Sequence, residues 1–455
     1  MASKQPSIAV VVLAAGKGTR MKSGLAKVLH PLAGRPMLSF PLAAAESLNP
    51  ERLVVVVGRD ADRVRETFAD RATFVLQEEQ RGTGHAVAQA ERELERFNGD
   101  VLILYGDTPL IRPETLAQMA ATKAETRADL VLLTAEIEVP GIVVRDEGGS
   151  VARIVEATDA TPAELAIRER NTGVYLLSAE LLWKTLAQIG DHNEQGEIYL
   201  TDLVGLLVRD GLRIEALQMA DSEEAIGVNT RVELAEAAAV IRRRKLEQLM
   251  LEGVTIVDPA ATYIDVGVEV GRDSVIEPGC SIQGECRIGT GVHLKPGCMI
   301  ETSDVGDDSV IGPNAHLRPG CVLGRRVRIG NFVEIKNSVL GDGVKADHLS
   351  YIGDADVGAK ASFGCGAITV NYNWLEKSRT TVGEGANIGC NANLIAPVVI
   401  GKNAAVAAGS TIGNEVPDAA LAVERARQRN VEGWTARRGA GGSSGRKRKD
   451  EGETD

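Results

Sequence analysis

The sequence predicts two domains of unlike architecture: an α/β domain with a largely parallel sheet over residues 1–231, and a parallel β-helix over 253–435. Up to about residue 230, short β-rich runs alternate with helical patterns, as in a parallel sheet covered by helices. Residues 232–252, VELAEAAAVIRRRKLEQLMLE, then form one helical pattern without Gly or Pro, which reads as a linker helix. Beyond residue 260 an aliphatic residue recurs every six positions, the mark of stacked coils around one apolar core.

In chain order, SIAVVV (7–12) reads as a buried strand, followed by strands at RLVVVVG (52–58), VLILYGD (101–107) and DLVLLTAEI (129–137). GTGHAVAQAERELERF (82–97) and PETLAQMAATKAE (113–125) read as helices. In the second half the repeat runs without a slip through Ile264, Val270, Ile276, Ile282, Ile288, Leu294 and Ile300. It drops one residue and resumes at Val305, Ile311, Leu317, Leu323, Ile329 and Ile335, then returns at Val382, Ile388, Leu394, Ile400, Val406 and Ile412. An insertion, TVNYNWLEKSRTT (369–381), interrupts it, and long loops on a regular scaffold are where function tends to sit. Residues 436–455, rich in Gly, Ser and charge, read as a disordered tail whose RKRK is a solvated run.

Composition narrows the function. With 44% hydrophobic and 25% charged residues among 455, the chain is that of a globular protein. A net charge of −12 opposes general binding to nucleic acid or anionic membranes, so any phosphate ligand needs locally gathered cations. The low aromatic content, 3%, suits small repeated side chains. No apolar run approaches the roughly 20 residues of a membrane span. MASKQPSIAVVV also lacks the features of a signal peptide, so a cytoplasmic location is expected. All six cysteines follow residue 279 and none forms a C-x-x-C pair, which argues against zinc or thioredoxin chemistry. Cys280, Cys286, Cys298 and Cys321 share a repeat slot that elsewhere takes Ser, Ala or Val, and are expected to be small core fillers. Cys365 and Cys390 occupy a different slot and stay open.

The stretch LAAGKGTRM (13–21) follows the first strand and gathers two glycines and two cations, with Lys27 close behind. It is neither a Walker A loop nor a dinucleotide fingerprint, since the lysine spacing and the third glycine are wrong. It suits an anion, or else is a strand-to-helix turn with surface cations. QEEQRGTGHA (77–86) offers a second glycine turn opening a helix, whose first amides suit an anion or a base edge. Asp107 of YGDTPL follows a strand end, either as a helix cap or as a magnesium ligand beside phosphates.

In order, LAAGKGTRM, KVLHPLAG, QEEQRGTGHA, LYGDTPLI, IVEATDAT, NTGVY, GVNTR and the hexapeptide half resemble one bifunctional family over residues 7–434. It is the N-acetylglucosamine-1-phosphate uridylyltransferase fused to a glucosamine-1-phosphate N-acetyltransferase, of bacterial UDP-N-acetylglucosamine synthesis. The resemblance implies a Rossmann-like nucleotidyltransferase domain and a left-handed, trimeric β-helix whose acetyl site is shared between subunits. It implies UTP and acetyl-coenzyme A as co-substrates and Mg2+ as cofactor. For uridylyl transfer it implies Leu13, Ala14, Ala15, Gly16 and Lys27 around the triphosphate, with Gln77, Gly82 and Thr83 at the uracil. Arg20 would stabilise the developing charge. Asp107 and Asn229 would hold the metal, flanked by Tyr105 and Gly106, while Gly141, Glu156 and Asn171 meet the sugar. For acetyl transfer it implies His348 as base, with Arg318, Lys336 and Tyr351 on the sugar phosphate and Ser362 nearby. Asn371 and Tyr372 would orient the amine or the oxyanion, and Cys365, Cys390, Ala408 and Arg425 would contact acetyl-coenzyme A.

The sequence departs from the family in places. EVPGIVVRDEGG keeps only Gly141 of the G-Y-G-R-I glycines, which puts the sugar loop in question, and Ala26 replaces a proline. Ser362, Cys365 and Cys390 stand where Asn, Ala and Ser are usual, and NYNW replaces N-Y-D-G. Two other readings follow from these changes: a uridylyltransferase on a purely structural, trimerising β-helix, or a non-catalytic regulatory relative. Retained His348 and Asn371 oppose the first. The cations and Asp107 oppose the second.

Overall fold

The computed structural model describes residues 7–58, 60–190 and 196–439. The chain forms two compact units, Met1–Ser303 and Asp304–Asp455, taken here in turn.

The first unit is built on a sheet of nine strands: β1 (Ile8–Ala14), β2 (Arg52–Val57), β3 (Thr73–Leu76), β4 (Asp100–Tyr105), β5 (Leu130–Glu136), β6 (Gly141–Arg145), β7 (Val151–Glu156), β8 (Glu169–Ser178) and β9 (Ile214–Gln218). The order across the sheet is β9-β5-β8-β4-β1-β2-β3, with the β6–β7 hairpin paired to β8. Pairing is parallel except at β8, which runs antiparallel between β4 and β5, and in the hairpin. Strand β1 lies inside the sheet, between β4 and β2, and is buried on both faces, so its apolar run is unbroken rather than alternating. Ala9, Val11 and Leu13 feed one core, and Val10 and Val12 the other.

Helices α1 (Ser39–Glu46), α2 (Ala61–Phe68), α3 (Thr83–Ala88), α4 (Pro113–Thr126), α5 (Pro162–Leu165), α6 (Ala179–Leu186) and α7 (Asp202–Arg209) belong to this part. The expected helix over 82–97 is only six residues long in α3, followed by a 3-10 turn at Arg92–Leu94. The Gln89 side chain donates to the His85 carbonyl at 3.0 Å, the acceptor its own backbone N–H would use in an α-helix. The backbone N–H bonds the Ala86 carbonyl instead, and the winding tightens. Helix α8 (Arg231–Leu251) covers the residues expected to form one long helix, and begins with a Thr230–Glu233 capping box. The first coils of the β-helix lie in this same unit. Arg242 stacks over the Tyr263 ring at 4.3 Å, and Arg35 pairs with Glu285 at 3.2 Å.

The repeat behaves as its period requires. Each strand pairs in parallel with the one three hexads on, Ile276 with Leu294 and Ile282 with Ile300. In the second unit the same pairing links Leu317 with Ile335, Ile388 with Val406 and Leu394 with Ile412. Every repeat aliphatic named above is buried except Val270, which is half-buried. Burying each such side chain contributes about 1.5–3 kcal/mol, which is why a chain poor in aromatics can hold this shape. Cys280, Cys286, Cys298 and Cys321 are buried core fillers as expected, whereas Cys365 is half-buried and Cys390 exposed.

The insertion is shorter than its sequence suggests. Thr369 and Val370 complete one strand and Thr380 begins the next, leaving 371–379 as the loop. A Tyr372–Lys377 bridge closes it, and the Asn373 side chain accepts from the Leu375 and Glu376 amides. Of the expected tail, residues 436–439 lie in helix α9 (Trp434–Gly439) and the rest lies outside the described residues.

Candidate active sites

In the first unit two clefts open at the carboxyl ends of β1, β3 and β4, where parallel sheets place their ligands. One, of 240 Å³, is lined by Leu13, Ala14, Ala15, Gly16, Lys27, Gln77, Gly82, Thr83, Tyr105 and Asp107, together with Gln80 and Glu197. The other, of 550 Å³, shares Thr83, Tyr105 and Asp107 and adds Gly141, Glu156, Asn171 and Asn229. All the residues assigned to the triphosphate, uracil and sugar thus converge, apart from Gly106 and Arg20. Gly106 donates its N–H to the Leu13 carbonyl at 2.9 Å, and a Cβ there would press on Ala14 and Leu38 at 3.2 and 3.1 Å. Arg20 lies exposed on a 3-10 turn, Thr19–Met21, outside both clefts.

Gly141 opens β6, paired to Glu156 of β7. A Cβ at 141 would lie 3.2 Å from that of Asn171, so glycine lets the hairpin close on that side chain. Asn171 is buried, donates to the Tyr175 hydroxyl at 2.8 Å and accepts from the Gly173 amide at 3.2 Å. The shortened loop therefore still delivers its glycine to the larger cleft. The 77–86 segment differs from expectation in one respect. The Gly84 amide is taken by the Ile198 carbonyl at 2.8 Å, so it is not free for an anion. Gly82, at φ +105°, would bring a Cβ within 2.5 Å of that same carbonyl. These glycines admit the segment from Ile198 to Leu200, which brings Glu197, Tyr199 and Thr201 to the clefts. No sequence period marks those three residues, and they escape the sequence reading.

Asp107 and Asn229 face one point. The Lys27 ammonium ion-pairs with Asp107 Oδ2 and lies 3.0 Å from Asn229 Oδ1. Asn229 is fixed by the helix behind it, since Glu233 Oε2 accepts from its backbone N–H at 2.7 Å while serving the α8 cap. Burial pushes the Glu156 carboxyl up, opposed by a hydrogen bond from Thr201 and reinforced by Asp159 and Asp202. A carboxyl raised in the folded state contributes its stability below its unfolded pKa and loses it as pH rises through the folded one. Glu156→Gln is therefore expected to raise the thermal unfolding midpoint relative to wild type at pH 8, with the gain vanishing near pH 4. Parallel melting scans at the two pH values check this.

In the second unit the residues assigned to acetyl transfer form two groups. Lys336, Tyr351 and Asn371 gather about Asp354, a buried residue at φ +50°. Asn371 Nδ2 donates to Asp354 Oδ2 and lies 3.4 Å from the Tyr351 hydroxyl. Lys336 Nζ stands 3.7 Å from Asp354, and Asn337 donates to its other oxygen at 2.5 Å. Burial alone would raise the Asp354 carboxyl, but the amides of Asn337 and Asn371 and the ammonium groups of Lys336 and Lys377 hold it below the usual range. Asp354, Asn337 and Lys377 complete this cluster and were not found from the sequence. Arg318, just past a strand, pairs at 3.0 Å with Glu334 of the neighbouring strand.

The second group is a ladder. Lys345 pairs with Ser362, Ser362 with Asn387, and Asn387 with Ala405. Three residues further along each coil, that register stacks His348, Cys365, Cys390 and Ala408 at one turn position. The corner hydrogen bonds of the later coils agree, Asn391 donating to Cys365 and Gly409 to Cys390 at 2.8 Å each, whereas Gly366 donates to Leu349, one residue past His348, at 3.1 Å. His348 is exposed, and Arg425 donates to the Ala408 carbonyl at 2.9 Å. Ser362 hydrogen-bonds Asn387 at 2.7 Å, and Tyr372 lies exposed on the inserted loop.

A nucleotide-sized cleft at the strand ends of an α/β sheet, followed by a hexapeptide β-helix, defines a nucleotidyltransferase joined to an acyltransferase. Residues 10–198 match the MobA-like NTP transferase domain family, and 267–302, 302–337 and 379–414 the bacterial transferase hexapeptide family. The chain is 47% identical to a "Bifunctional protein GlmU" of Pelobacter propionicus, covering 95% of this chain and 98% of the relative. It is likewise 47% identical to those of Geobacter sulfurreducens (95% and 99%) and Brevibacillus brevis (93% and 96%). The chain belongs to the GlmU family, and is a bifunctional enzyme with uridylyltransferase and acetyltransferase activities on a left-handed β-helix scaffold.

Proposed function

We propose that residues 1–231 transfer UMP from UTP to N-acetylglucosamine 1-phosphate, and that residues 253–435 make that sugar phosphate by acetylating glucosamine 1-phosphate, with 232–252 as the link. The observation that carries the first half is the pair of clefts sharing Thr83, Tyr105 and Asp107. A sugar phosphate oxygen from one cleft can attack the α-phosphorus of a nucleotide in the other, in line, and pyrophosphate leaves. Gly16 and Lys27 bind the triphosphate, Gln77, Gly82 and Thr83 border the base, and Glu156, Asn171 and Gly141 position the sugar. Arg20 must turn inward to serve the developing charge.

Asp107 and Asn229 suit a magnesium ion, because their oxygens already converge on one cationic group. Among the described residues there is no cluster of three or more His, Cys, Asp or Glu that could hold a metal, so the remaining ligands in this reading are phosphate oxygens. The ion would neutralise phosphate charge. EDTA is expected to stop UDP-N-acetylglucosamine formation while leaving acetyl transfer intact; loss of both, or of neither, contradicts the assignment.

In the second half His348 takes the proton as the amine attacks the thioester carbonyl. Asn371 holds the amine rather than the oxyanion. Its Nδ2 must face Asp354, a carboxylate that only accepts, so Oδ1 remains to accept from the substrate N–H. Lys336, Tyr351 and Arg318 bind the phosphate. Cys365, Cys390, Ala408 and Arg425 border acetyl-coenzyme A, with Ser362 and Tyr372 at the margins. Alkylation by N-ethylmaleimide is expected to slow acetyl transfer at least tenfold and to spare uridylyl transfer, through Cys390 and Cys365, because the other four thiols are buried. A Cys365→Ala/Cys390→Ser enzyme should resist, and equal sensitivity in that variant would refute the placement. Assembly as a trimer, checked by a sedimentation mass near three chains of 48.2 kDa, and a cytoplasmic location complete the proposal. No helix among the described residues is long and apolar enough to cross a membrane.

A further inference from the structure

We propose that Lys27 is an internal counter-ion that keeps the Asp107–Asn229 cation site closed until a nucleoside triphosphate enters, so that divalent metal arrives with the nucleotide and not before it. This rests on Asp107 and Asn229 being the metal ligands. The Lys27 ammonium ion-pairs with Asp107 Oδ2 and donates to a second oxygen, Asn229 Oδ1, at 3.0 Å. A divalent ion bound to both oxygens at about 2.1 Å would sit where the ammonium sits. The two cations exclude each other by space and by charge. The lysine is also well held, its side chain only 9% exposed against 22% for Asp107. It starts a 3-10 turn, Lys27–Leu29, and packs so tightly beneath Gly18 that a Cβ at 18 would lie 2.9 Å from its own.

The release is built into the same geometry. Lys27 lines the nucleotide cleft beside Ala14 and Gly16, and Asn229 lines only the sugar cleft, so the ammonium stands at their junction. A polyphosphate entering the first cleft offers Lys27 a stronger anionic partner within reach of its flexible stem. Its departure uncovers Asp107 and Asn229 toward the metal carried on the phosphates. A lysine that served only as a structural ion pair would stabilise the fold and gate nothing.

Binding of Mn2+ to the full chain without nucleotide, followed by the electron paramagnetic resonance signal of the free ion, tests this. Wild type, Asp107→Asn, Lys27→Met and the Lys27→Met/Asp107→Asn double variant are titrated, each checked for folding by circular dichroism. Wild type and Asp107→Asn are expected to bind Mn2+ equally weakly, and Lys27→Met at least tenfold more tightly, with the gain lost in the double variant. Wild type binding more tightly than Asp107→Asn would mean the site is open with Lys27 in place, which overturns the counter-ion role and leaves the ligand assignment standing. That comparison needs no Lys27 variant to fold. A gain in Lys27→Met that survives in the double variant would instead overturn Asp107 as a ligand.

Discussion

His348→Ala is expected to lower acetyl transfer by about 10²- to 10⁴-fold, the usual contribution of a positioned general base, while uridylyl transfer is unchanged. The amine of glucosamine 1-phosphate is protonated over much of the neutral range and must shed a proton as it attacks. The exposed imidazole of His348 stands in the coil next to Cys365 and one turn from Tyr351. On the proposed assignment, removing it takes away the proton acceptor and leaves in place Lys336 and Tyr351, which cluster about Asp354. The loss should therefore fall on kcat, with KM for the sugar phosphate nearly constant. His348 is exposed, so the melting temperature should hold. A drop confined to KM would make His348 a binding group instead.

Asp107→Asn is expected to cut uridylyl transfer by about 10²- to 10³-fold, the scale of losing one preorganised charge at a transition state, and to spare acetyl transfer. Asparagine is preferred to alanine here. Lys27 is nearly buried against Asp107, and alanine would leave its ammonium short of a partner, adding a folding cost that obscures the chemistry. The amide keeps an acceptor for Lys27 but not the negative charge a metal needs. Pyrophosphate release, measured with and without added Mg2+ up to high concentration, separates weak metal binding from a misplaced triphosphate. Full rescue by metal would show that the carboxylate acts through the ion.

Much of this was legible in the sequence because the fold rests on simple periods. A hexad aliphatic points inward at every turn, so counting by six located the core from Ile264 to Ile412 before any coordinates. The continuous run at Ile8–Ala14 marked a strand buried on both faces. Gly16, Lys27, Gly82 and Asp107 drew notice because glycine turns, cations and a carboxylate follow strand ends, whereas Gln77, Gly141, Glu156, Asn171 and Asn229 came only from the family resemblance. What escaped depends on contacts distant in sequence. The glycines of the 77–86 segment looked like ligand amides, yet they make room for Ile198, more than a hundred residues on. Gln89 ends a helix by a side-chain bond that periodicity cannot register. Asp354 organises the cluster of Lys336, Tyr351 and Asn371 but resembles the turn residues at other corners, where Asp308, Asn337 and Asn403 also take positive φ. Only its burial and its four partners set it apart.

The altered loop, NYNW in place of N-Y-D-G, bears on whether the β-helix is a working enzyme. In the structure Asn371 is anchored by Asp354, and Trp374 is 87% exposed. The direct measurement is acetyl transfer by the wild-type protein, given acetyl-coenzyme A and glucosamine 1-phosphate without UTP. Product is detected by mass, which avoids thiol background from six cysteines. N-acetylglucosamine 1-phosphate forming at a steady rate, and lost in His348→Ala, is the predicted result. No product from folded, trimeric protein would contradict it, and would leave a uridylyltransferase carried on a structural β-helix.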